Sequence, residues 1–338
     1  MTIPSALRLA AVPLIGVAAA LAPLFLAGYR LVFLLLLFLH VGLAYSWNLV
    51  SGFTGYISFG HVAFFGVGAY VVGILAGLHN WNWLMALPVA GAVVLVVSVP
   101  LGWLMLRLKG PYFAIGMLAV AQATALVATL WDGLTRGGLG IFVSTSYNVI
   151  SVYYGLLIIL AVVMGLTYWV DNSRFGLRLL SIREDESAAE AMGIDTTRDK
   201  IKAFAMSAFF PGLIGGMYAW YIGYIDPRSV FSLFFSVNMI LMTLLGGAGT
   251  FLGPLIGGIA FTFVVESLWV RFPEYHLMST GIAVIIIVLF IPNGIVALLR
   301  RRGWLTHRRR VTTRLFRSVQ ADSREQQEAK QAERVSAG

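Results

Sequence analysis

The sequence contains no cysteine, and only 12% of its 338 residues are charged. Without cysteine there is no disulfide framework, no thiolate nucleophile and no cysteine metal site. Soluble domains are usually about a quarter charged and about half apolar, whereas this chain is 59% apolar. The scarcity of charge therefore excludes a water-soluble enzyme.

Long apolar runs occupy most of the sequence. A membrane-spanning helix needs about 20 apolar residues, and the runs are unbroken rather than alternating, which excludes a β-barrel. We therefore predict an all-α polytopic membrane protein with about ten transmembrane helices. The first run is long for a signal peptide, so we expect it to be retained. The predicted spans cover residues 8–27, 31–50, 60–78, 84–106, 112–131, 151–170, 203–222, 231–246, 251–269 and 277–298.

Lys and Arg predict the orientation of these spans, because cytoplasmic loops carry an excess of both. With a cytoplasmic N-terminus, 20 of the 24 Lys and Arg residues lie on the cytoplasmic side, and none lies inside a span except Arg8, the first residue of the first span. We therefore predict an N-in, C-in membrane domain over residues 1–298, with a cytoplasmic loop at about 171–202 between spans six and seven. Residues 299–338 are predicted to form a basic, disordered cytoplasmic tail facing anionic lipid. No folded basic domain surrounds this tail, so nucleic acid is not an expected partner.

Motifs for enzymatic chemistry are missing from the sequence. There is no GxxxxGK[ST] loop, so the chain is not expected to hydrolyse nucleotide by itself, and neither HExxH nor GxSxG occurs. Glu266 is the only acidic residue in a predicted span. An intramembrane enzyme needs buried acid–base groups, and ion-coupled carriers usually bury several carboxylates. The composition therefore favours a conduit driven by another protein.

A glycine-rich stretch follows the second predicted span, with five glycines between residues 52 and 68. Glycine disfavours a helix, and non-helical backbone at membrane depth requires surrounding protein or a water-lined cavity. One hypothesis is a broken helix that lines a translocation path. The alternative is close helix packing through small residues, in which His61 is a hydrogen-bonded structural residue rather than a substrate contact. The polar candidates for the path are Asn48, Thr54, Ser58 and His61.

A second glycine segment lies between the eighth and ninth predicted spans. Gly249, Gly253 and Gly257 are spaced four residues apart, which predicts one smooth helix face that admits a close neighbour. Gly246 and Gly247 are predicted at a cytoplasmic turn. Helix packing is the favoured interpretation of this segment.

The 171–202 loop is the one substantial polar insert between predicted spans. Its apolar residues are spaced for one face of a short amphipathic helix. Gly193 is a natural C-cap, and a second helix is predicted to start at Asp195 or Thr196. A charged helix–turn–helix is predicted to dock a cytoplasmic partner, the alternative being a solvated loop. The face comprises Leu179, Ile182, Ala189 and Met192.

At this loop the sequence resembles the EAA-type coupling motif of ABC importer permeases, through residues 187–193 (SAAEAMG). Ser187 stands where the general motif has Glu. Residues 183–194 resemble in particular the branched-chain amino acid permeases of the LivM type. The other matching motifs are GFTGYISFGHVAFFGVGAY at 52–70, LRLKGPYFAI at 106–115, LGGAGTFLGP at 245–254 and FIPNG at 290–294.

The resemblance implies roles for particular residues. Those implied to couple to the ATPase are Arg183, Glu186, Ala188, Ala189, Glu190 and Gly193. The predicted candidates for the translocation path are Asn48, Gly52, Thr54, Gly55, Ser58, His61 and Tyr112. The predicted candidates for helix packing or a gate are Gly246, Gly247, Gly249, Gly253 and Gly257.

The resemblance also implies an assembly in a bacterial inner membrane. Its other members would be a second homologous permease, two cytoplasmic ABC ATPases and an extracytoplasmic solute-binding protein. The chain itself would bind no cofactor, since ATP would be used by the partner subunits. The expected activity is import of branched-chain amino acids by alternating access. Import of urea or short amides is the first alternative, and a secondary carrier is a rival of another class.

Overall fold

The computed structural model describes residues 16, 18–143, 148–271, 278, 281–282 and 294–301. Within them the chain is predominantly helical, as predicted. Seven of the described helices are long and apolar enough to cross a membrane. They are Tyr29–Gly52, His61–Leu78, Trp83–Met105, Pro111–Leu130, Val149–Asp171, Thr196–Ile222 and Pro227–Gly246.

A shorter apolar helix, Gly253–Ser267, falls at the ninth predicted span. Residues 8–15 and 17 of the first predicted span, 8–27, lie outside the described residues, and so do most of the tenth, 277–298, and the tail beyond 301. The count of about ten spans and the N-in, C-in orientation therefore stay predictions.

The helices are numbered in chain order. They are α1 Tyr29–Trp47, α2 His61–Val72, α3 Trp83–Met105, α4 Pro111–Leu130, α5 Asp132–Thr135, α6 Val149–Asp171, α7 Arg174–Glu184, α8 Glu186–Ala191, α9 Thr196–Ile222, α10 Pro227–Val230, α11 Leu233–Gly246, α12 Gly253–Arg271 and α13 Gly294–Arg301. Wider π-helical turns, Asn48–Gly52 and Gly73–Leu78, extend α1 and α2, and a 3-10 turn covers Gly137–Leu139. The strands β1 Ile141–Phe142 and β2 Tyr224–Ile225 pair antiparallel, which is a small departure from an all-α chain.

Helix α9 lies at the centre of the bundle and packs against α1, α2, α3 and α6. Small residues let it approach α2 closely. A Cβ added at Gly68 of α2 would lie 2.0 Å from the carbonyl oxygen of Gly212 on α9, and one added at Gly215 would lie 2.0 Å from the carbonyl oxygen of Phe65. Backbone contact through glycine is a common way for membrane helices to pack, because lipid supplies no hydrophobic force between them.

We expect Gly68→Ala to destabilise the protein by about 1–3 kcal/mol or more, because the added methyl group pushes α2 away from α9. Gly165→Ala on α6 is the matched control, since no atom lies within 4 Å of its added Cβ. Replacing an unencumbered helical glycine by alanine stabilises a helix by about 0.5–1 kcal/mol. Thermal unfolding of the purified variants in detergent measures both effects, and equal melting temperatures would contradict the packing argument.

Candidate functional site

The 171–202 loop forms two helices, α7 and α8, that lead into α9. The prediction that one short helix carries Leu179, Ile182, Ala189 and Met192 is wrong, because Asp185 adopts an extended conformation (φ −156°, ψ 112°). Its side chain instead accepts a hydrogen bond from the backbone N–H of Ala188 and so caps α8. The predicted caps between α8 and α9 are confirmed. Gly193 has φ +83°, and the Asp195 side chain accepts a hydrogen bond from the backbone N–H of Arg198 at the start of α9.

The break at Asp185 changes which apolar residues face the bundle. Leu179, Ile182 and Ala189 are buried as predicted. Met192 is 83% exposed, so its placement on the shared face was wrong. It lies beyond the last residue of α8, and the helical spacing that related it to α7 is interrupted at Asp185.

Two ion pairs fasten this segment to the first turns of α9. The Lys200 ammonium lies 2.6 Å from a carboxylate oxygen of Glu186, and both side chains are buried or nearly so. The Tyr56 hydroxyl donates to the other oxygen of Glu186. Arg178 on α7 pairs with Asp199 on α9. Helices α7 and α8 are therefore held to the central helix of the bundle through charge-assisted hydrogen bonds, which are stronger than neutral ones.

The environment of Glu186 favours its ionised form. Burial alone raises the pKa of the Glu186 carboxyl, but the hydrogen bonds from Lys200 and Tyr56 and the charge of Lys200 outweigh it, and the net pKa lies below its ordinary value. Burial, together with the neighbouring Glu186 carboxylate, raises the pKa of Tyr56. At neutral pH Glu186 is therefore a carboxylate and Tyr56 a neutral phenol.

Sequence reasoning gave no role to Lys200 and Asp199, which it had placed in the second helix of the 171–202 loop. Helix α9 begins at Thr196, whereas the predicted span begins at 203. A signal was present, because Thr196, Lys200, Ala203 and Ser207 are all buried and lie at helical spacing. This buried face of α9 was overlooked because its first two residues, Thr196 and Lys200, are polar.

Most of the coupling residues implied by the resemblance are exposed, and Ala189 is the one that is buried. Glu190 accepts a hydrogen bond from the Thr196 hydroxyl. Ala188 is exposed, and so is the neighbouring Met192.

The glycine-rich stretch interrupts the helix, as the first hypothesis for it predicted. Helix α1 widens into the Asn48–Gly52 turn, the backbone is non-helical from 55 to 60, and α2 starts at His61. Side chains bond backbone groups that have no helical partner at this break. Trp47 Nε1 donates to the Ser58 carbonyl oxygen (2.8 Å). The close packing of the alternative hypothesis is present too, since Gly68 meets the backbone of α9.

The polar residues assigned to the path lie inside the bundle, with partners in this chain. Asn48, Thr54, Ser58 and His61 are all buried. His61 lies with Nδ1 2.9 Å from the Ser58 hydroxyl and Nε2 3.2 Å from the Ser207 hydroxyl. This is the geometry of a structural histidine. Tyr112 stands apart from the group, because its side chain is 73% exposed at the start of α4.

In the second glycine segment, the prediction that Gly249 lies on a helix face is wrong. Helix α12 begins only at Gly253, and Gly249 lies in the preceding turn with φ +75°, a conformation that favours glycine. Gly253 and Gly257 do lie on α12, where added Cβ atoms would meet the carbonyl oxygens of Gly247 (2.1 Å) and Met242 (1.9 Å). Glycine thus allows α12 to pack on the end of α11.

The two glycine segments meet in space. Asn48 accepts a hydrogen bond from the Gly249 N–H (2.8 Å) and donates one to the Thr250 carbonyl oxygen (3.1 Å). The guanidinium of Arg183 also reaches this point from α7. The structure therefore joins the helix break after α1, the turn after α11 and the 171–202 segment at one end of the bundle.

Glu266 lies on α12, as predicted, and accepts a hydrogen bond from the Tyr29 hydroxyl (3.1 Å). It lines a cleft of about 590 Å³ between α1 and α12, together with Arg30 and the apolar side chains of Phe33 and Phe263.

Comparison with known proteins identifies the family of this chain. The model of the family described as branched-chain amino acid transport system / permease component matches residues 29–290. The chain is 25% identical to LivM of Salmonella typhimurium strain LT2 over 293 residues, which are 78% of this chain and 68% of that protein. It is 26% identical to LivM of Escherichia coli strain K12, with the same coverage. It is 25% identical to LivH of the same strain, over 75% of this chain and 90% of LivH.

All three relatives are named as high-affinity branched-chain amino acid transport system permease proteins. No solved structure matches the chain significantly. The family model covers well over half of the sequence and includes every residue of the site described above. The chain is a multi-pass transport permease rather than an enzyme, and it belongs to the family of permease components of branched-chain amino acid transport systems.

Proposed function

We propose that this chain is a membrane subunit of an ATP-driven importer of branched-chain amino acids in the bacterial inner membrane. It binds no cofactor itself, because ATP is bound and hydrolysed by two cytoplasmic ATPase subunits. A second homologous permease completes the path, and an extracytoplasmic solute-binding protein delivers the substrate. The similarity to both LivM and LivH relatives supports pairing with a homologous subunit.

The observation that carries the proposal is the 171–202 segment. Helices α7 and α8 are polar, lie at one end of an apolar bundle and are fastened to α9 by two ion pairs. Ala188 and Met192 form an exposed apolar patch on this polar segment. An exposed methionine in such surroundings is typical of a protein contact. We assign this patch to the ATPase subunit.

The path itself is proposed to pass beside the helix break. The Asn48–Gly52 turn is π-helical, a form that is frequent at functional sites, and it contacts the turn before α12 through Asn48. We propose that movement of α7 and α8 by the ATPase shifts these two helix ends and opens the path alternately to either side. Gly52, Thr54, Gly55, Ser58 and His61 belong to this break, whereas Tyr112 would contribute from α4.

The orientation is testable because the chain has no cysteine of its own. In an N-in, C-in protein, Ser187→Cys on α8 is cytoplasmic and Leu139→Cys, next to β1, is external. Both positions are exposed. An impermeant maleimide is therefore expected to label Leu139→Cys in intact cells, and Ser187→Cys only after permeabilisation. Labelling of Ser187→Cys from outside would invert the topology.

The decisive experiment is transport by the reconstituted complex. Proteoliposomes contain this chain, its partner permease and the ATPases, and the solute-binding protein is varied. Uptake of labelled leucine, urea and acetamide is measured with ATP and with a non-hydrolysable analogue. We expect ATP-dependent leucine uptake. Uptake of urea or acetamide in its place would favour the first alternative, and uptake without ATP hydrolysis would indicate a secondary carrier.

A further inference from the structure

One guanidinium connects three separate parts of the chain. Arg183, near the end of α7, donates from Nη1 to the carbonyl oxygen of Gly52 (2.7 Å) and to that of Ala248 (3.4 Å). Gly52 ends the π-helical turn that extends α1, and Ala248 follows α11. We call Arg183 and its two acceptor carbonyls the Arg183 junction.

Both acceptors lie at C-terminal helix ends. The last carbonyls of a helix have no partner within the helix, and this end carries partial negative charge. A cation there is favoured electrostatically, and hydrogen bonds from a charged donor are roughly twice as strong as neutral ones. The Arg183 junction therefore caps the ends of two membrane helices with one side chain from a cytoplasmic helix.

Glycine provides the space for this contact. A Cβ added at Gly249 would lie 2.6 Å from Nη1 of Arg183, and one added at Gly55 would lie 3.0 Å from its Cγ. Any larger residue at either position would displace the arginine side chain. The GFTG (52–55) and GGAG (246–249) segments therefore leave a space that fits the Arg183 side chain.

A second contact holds the two helix ends together without Arg183. The Asn48 side chain bonds the N–H of Gly249 and the carbonyl oxygen of Thr250. The two ends therefore remain joined when the guanidinium is removed. What is lost in that case is the connection between these ends and α7.

We propose that Arg183 is the positioning residue that makes α7 and the two joined helix ends move as one unit. This inference rests on the proposed function, because α7 and α8 are then the parts displaced by the ATPase. Displacement of α7 shifts the ends of α1 and α11 through the Arg183 junction. Without the junction, the ATPase still binds and hydrolyses ATP, but the membrane helices do not follow.

The test compares transport with hydrolysis in reconstituted wild-type and variant complexes. Arg183→Gln is expected to retain ATPase binding and at least half of the ATP hydrolysis, while leucine transported per ATP falls about tenfold or more. That factor corresponds to a coupling free energy of about 1.4 kcal/mol.

Arg183→Lys should recover part of the ratio, since an ammonium reaches one carbonyl but lacks the planar fork of arginine. Arg174→Gln is the matched control, because Arg174 lies on the same helix, is exposed and bonds no side chain or backbone group in the described part of the chain.

A covalent replacement tests the connection directly. An added Cβ at Gly55 would lie 3.7 Å from the Cβ of Arg183, which is within the range for a disulfide, and the strain of a side chain at the Gly55 φ of +79° is common to the reduced and oxidised forms. The double variant Gly55→Cys, Arg183→Cys, assembled with cysteine-free partners, should be uncoupled when reduced. Oxidation should restore transport per ATP, because Asn48 still joins the second helix end to the first.

The outcomes separate this inference from the proposed function. A ratio of transport to hydrolysis within twofold of wild type in Arg183→Gln overturns the inference, as does a formed disulfide that leaves the ratio at its reduced level. Loss of ATPase binding in Arg183→Gln would place Arg183 in the subunit interface and also overturn it. Failure of the wild-type complex to transport any of the substrates would instead refute the proposed function.

Discussion

Met192→Asp is expected to weaken association with the ATPase subunits by about 30-fold or more while leaving the permease folded. The side chain is 83% exposed, so replacing it removes little packing within this chain. An anchor residue at the centre of an interface contributes about 2 kcal/mol or more, which is a loss of affinity of about 30-fold. A buried carboxylate at the contact adds a desolvation cost. Affinity of the ATPase for the detergent-purified permease measures the effect, together with the melting temperature.

Met192→Leu is the control, because it keeps an apolar side chain of similar volume. Ala188→Arg is a second variant of the same patch, since Ala188 lies one helical turn before Met192 and is exposed. Ala189→Arg is not equivalent, because Ala189 is buried and the substitution disturbs packing within the chain. Wild-type ATPase affinity in both Met192→Asp and Ala188→Arg would show that the patch is not the docking surface.

Lys200→Met is expected to cause the largest loss of stability, about 3–5 kcal/mol. Removing one partner of a buried ion pair leaves the other charge uncompensated, and the side chains of Lys200 and Glu186 are only 4% and 15% exposed. Tyr56 and the carbonyl oxygen of Leu106 lose a hydrogen bond from the same ammonium. Thermal unfolding and protease cleavage of the 171–202 segment measure the effect.

Lys202→Met is the matched control, since Lys202 lies on the same helix but is exposed. The double variant Lys200→Met, Glu186→Gln should regain part of the lost stability, because the unpaired carboxylate is gone. If Lys200→Met and Lys202→Met unfold at the same temperature as wild type, the ion pair does not hold the segment in place.

The same pair predicts how stability depends on pH. The pKa of Glu186 is lowered in the folded protein from an ordinary value of 4.5. A lowered carboxyl pKa contributes stability that is complete above the unfolded value and is lost as pH falls through the folded value. The wild-type segment is therefore expected to loosen below about pH 4.5, whereas Glu186→Gln should lack this component of acid sensitivity.

Local sequence was sufficient for the helical class, for seven of the predicted spans and for the turn at Gly193 in the polar 171–202 segment. Apolar runs and glycine or aspartate caps are short-range signals, because each depends on residues within one or two helical turns. Gly193 and Asp195 could be assigned for that reason. Met192 was misplaced by the same logic, because a single extended residue at Asp185 ends the periodicity on which the assignment relied.

The sequence by itself determined that the protein is a helical membrane permease with a polar segment facing one end of its bundle, since composition, apolar length and motif order all act locally. Only the tertiary structure decided how that segment is attached. Arg183 meets Gly52, 131 residues away, and Tyr56 meets Glu186, 130 residues away. Such contacts depend on which helix ends come together when α1, α9 and α11 pack. Helical periodicity in the sequence does not predict that arrangement, because it depends only on residues within a few turns of one another.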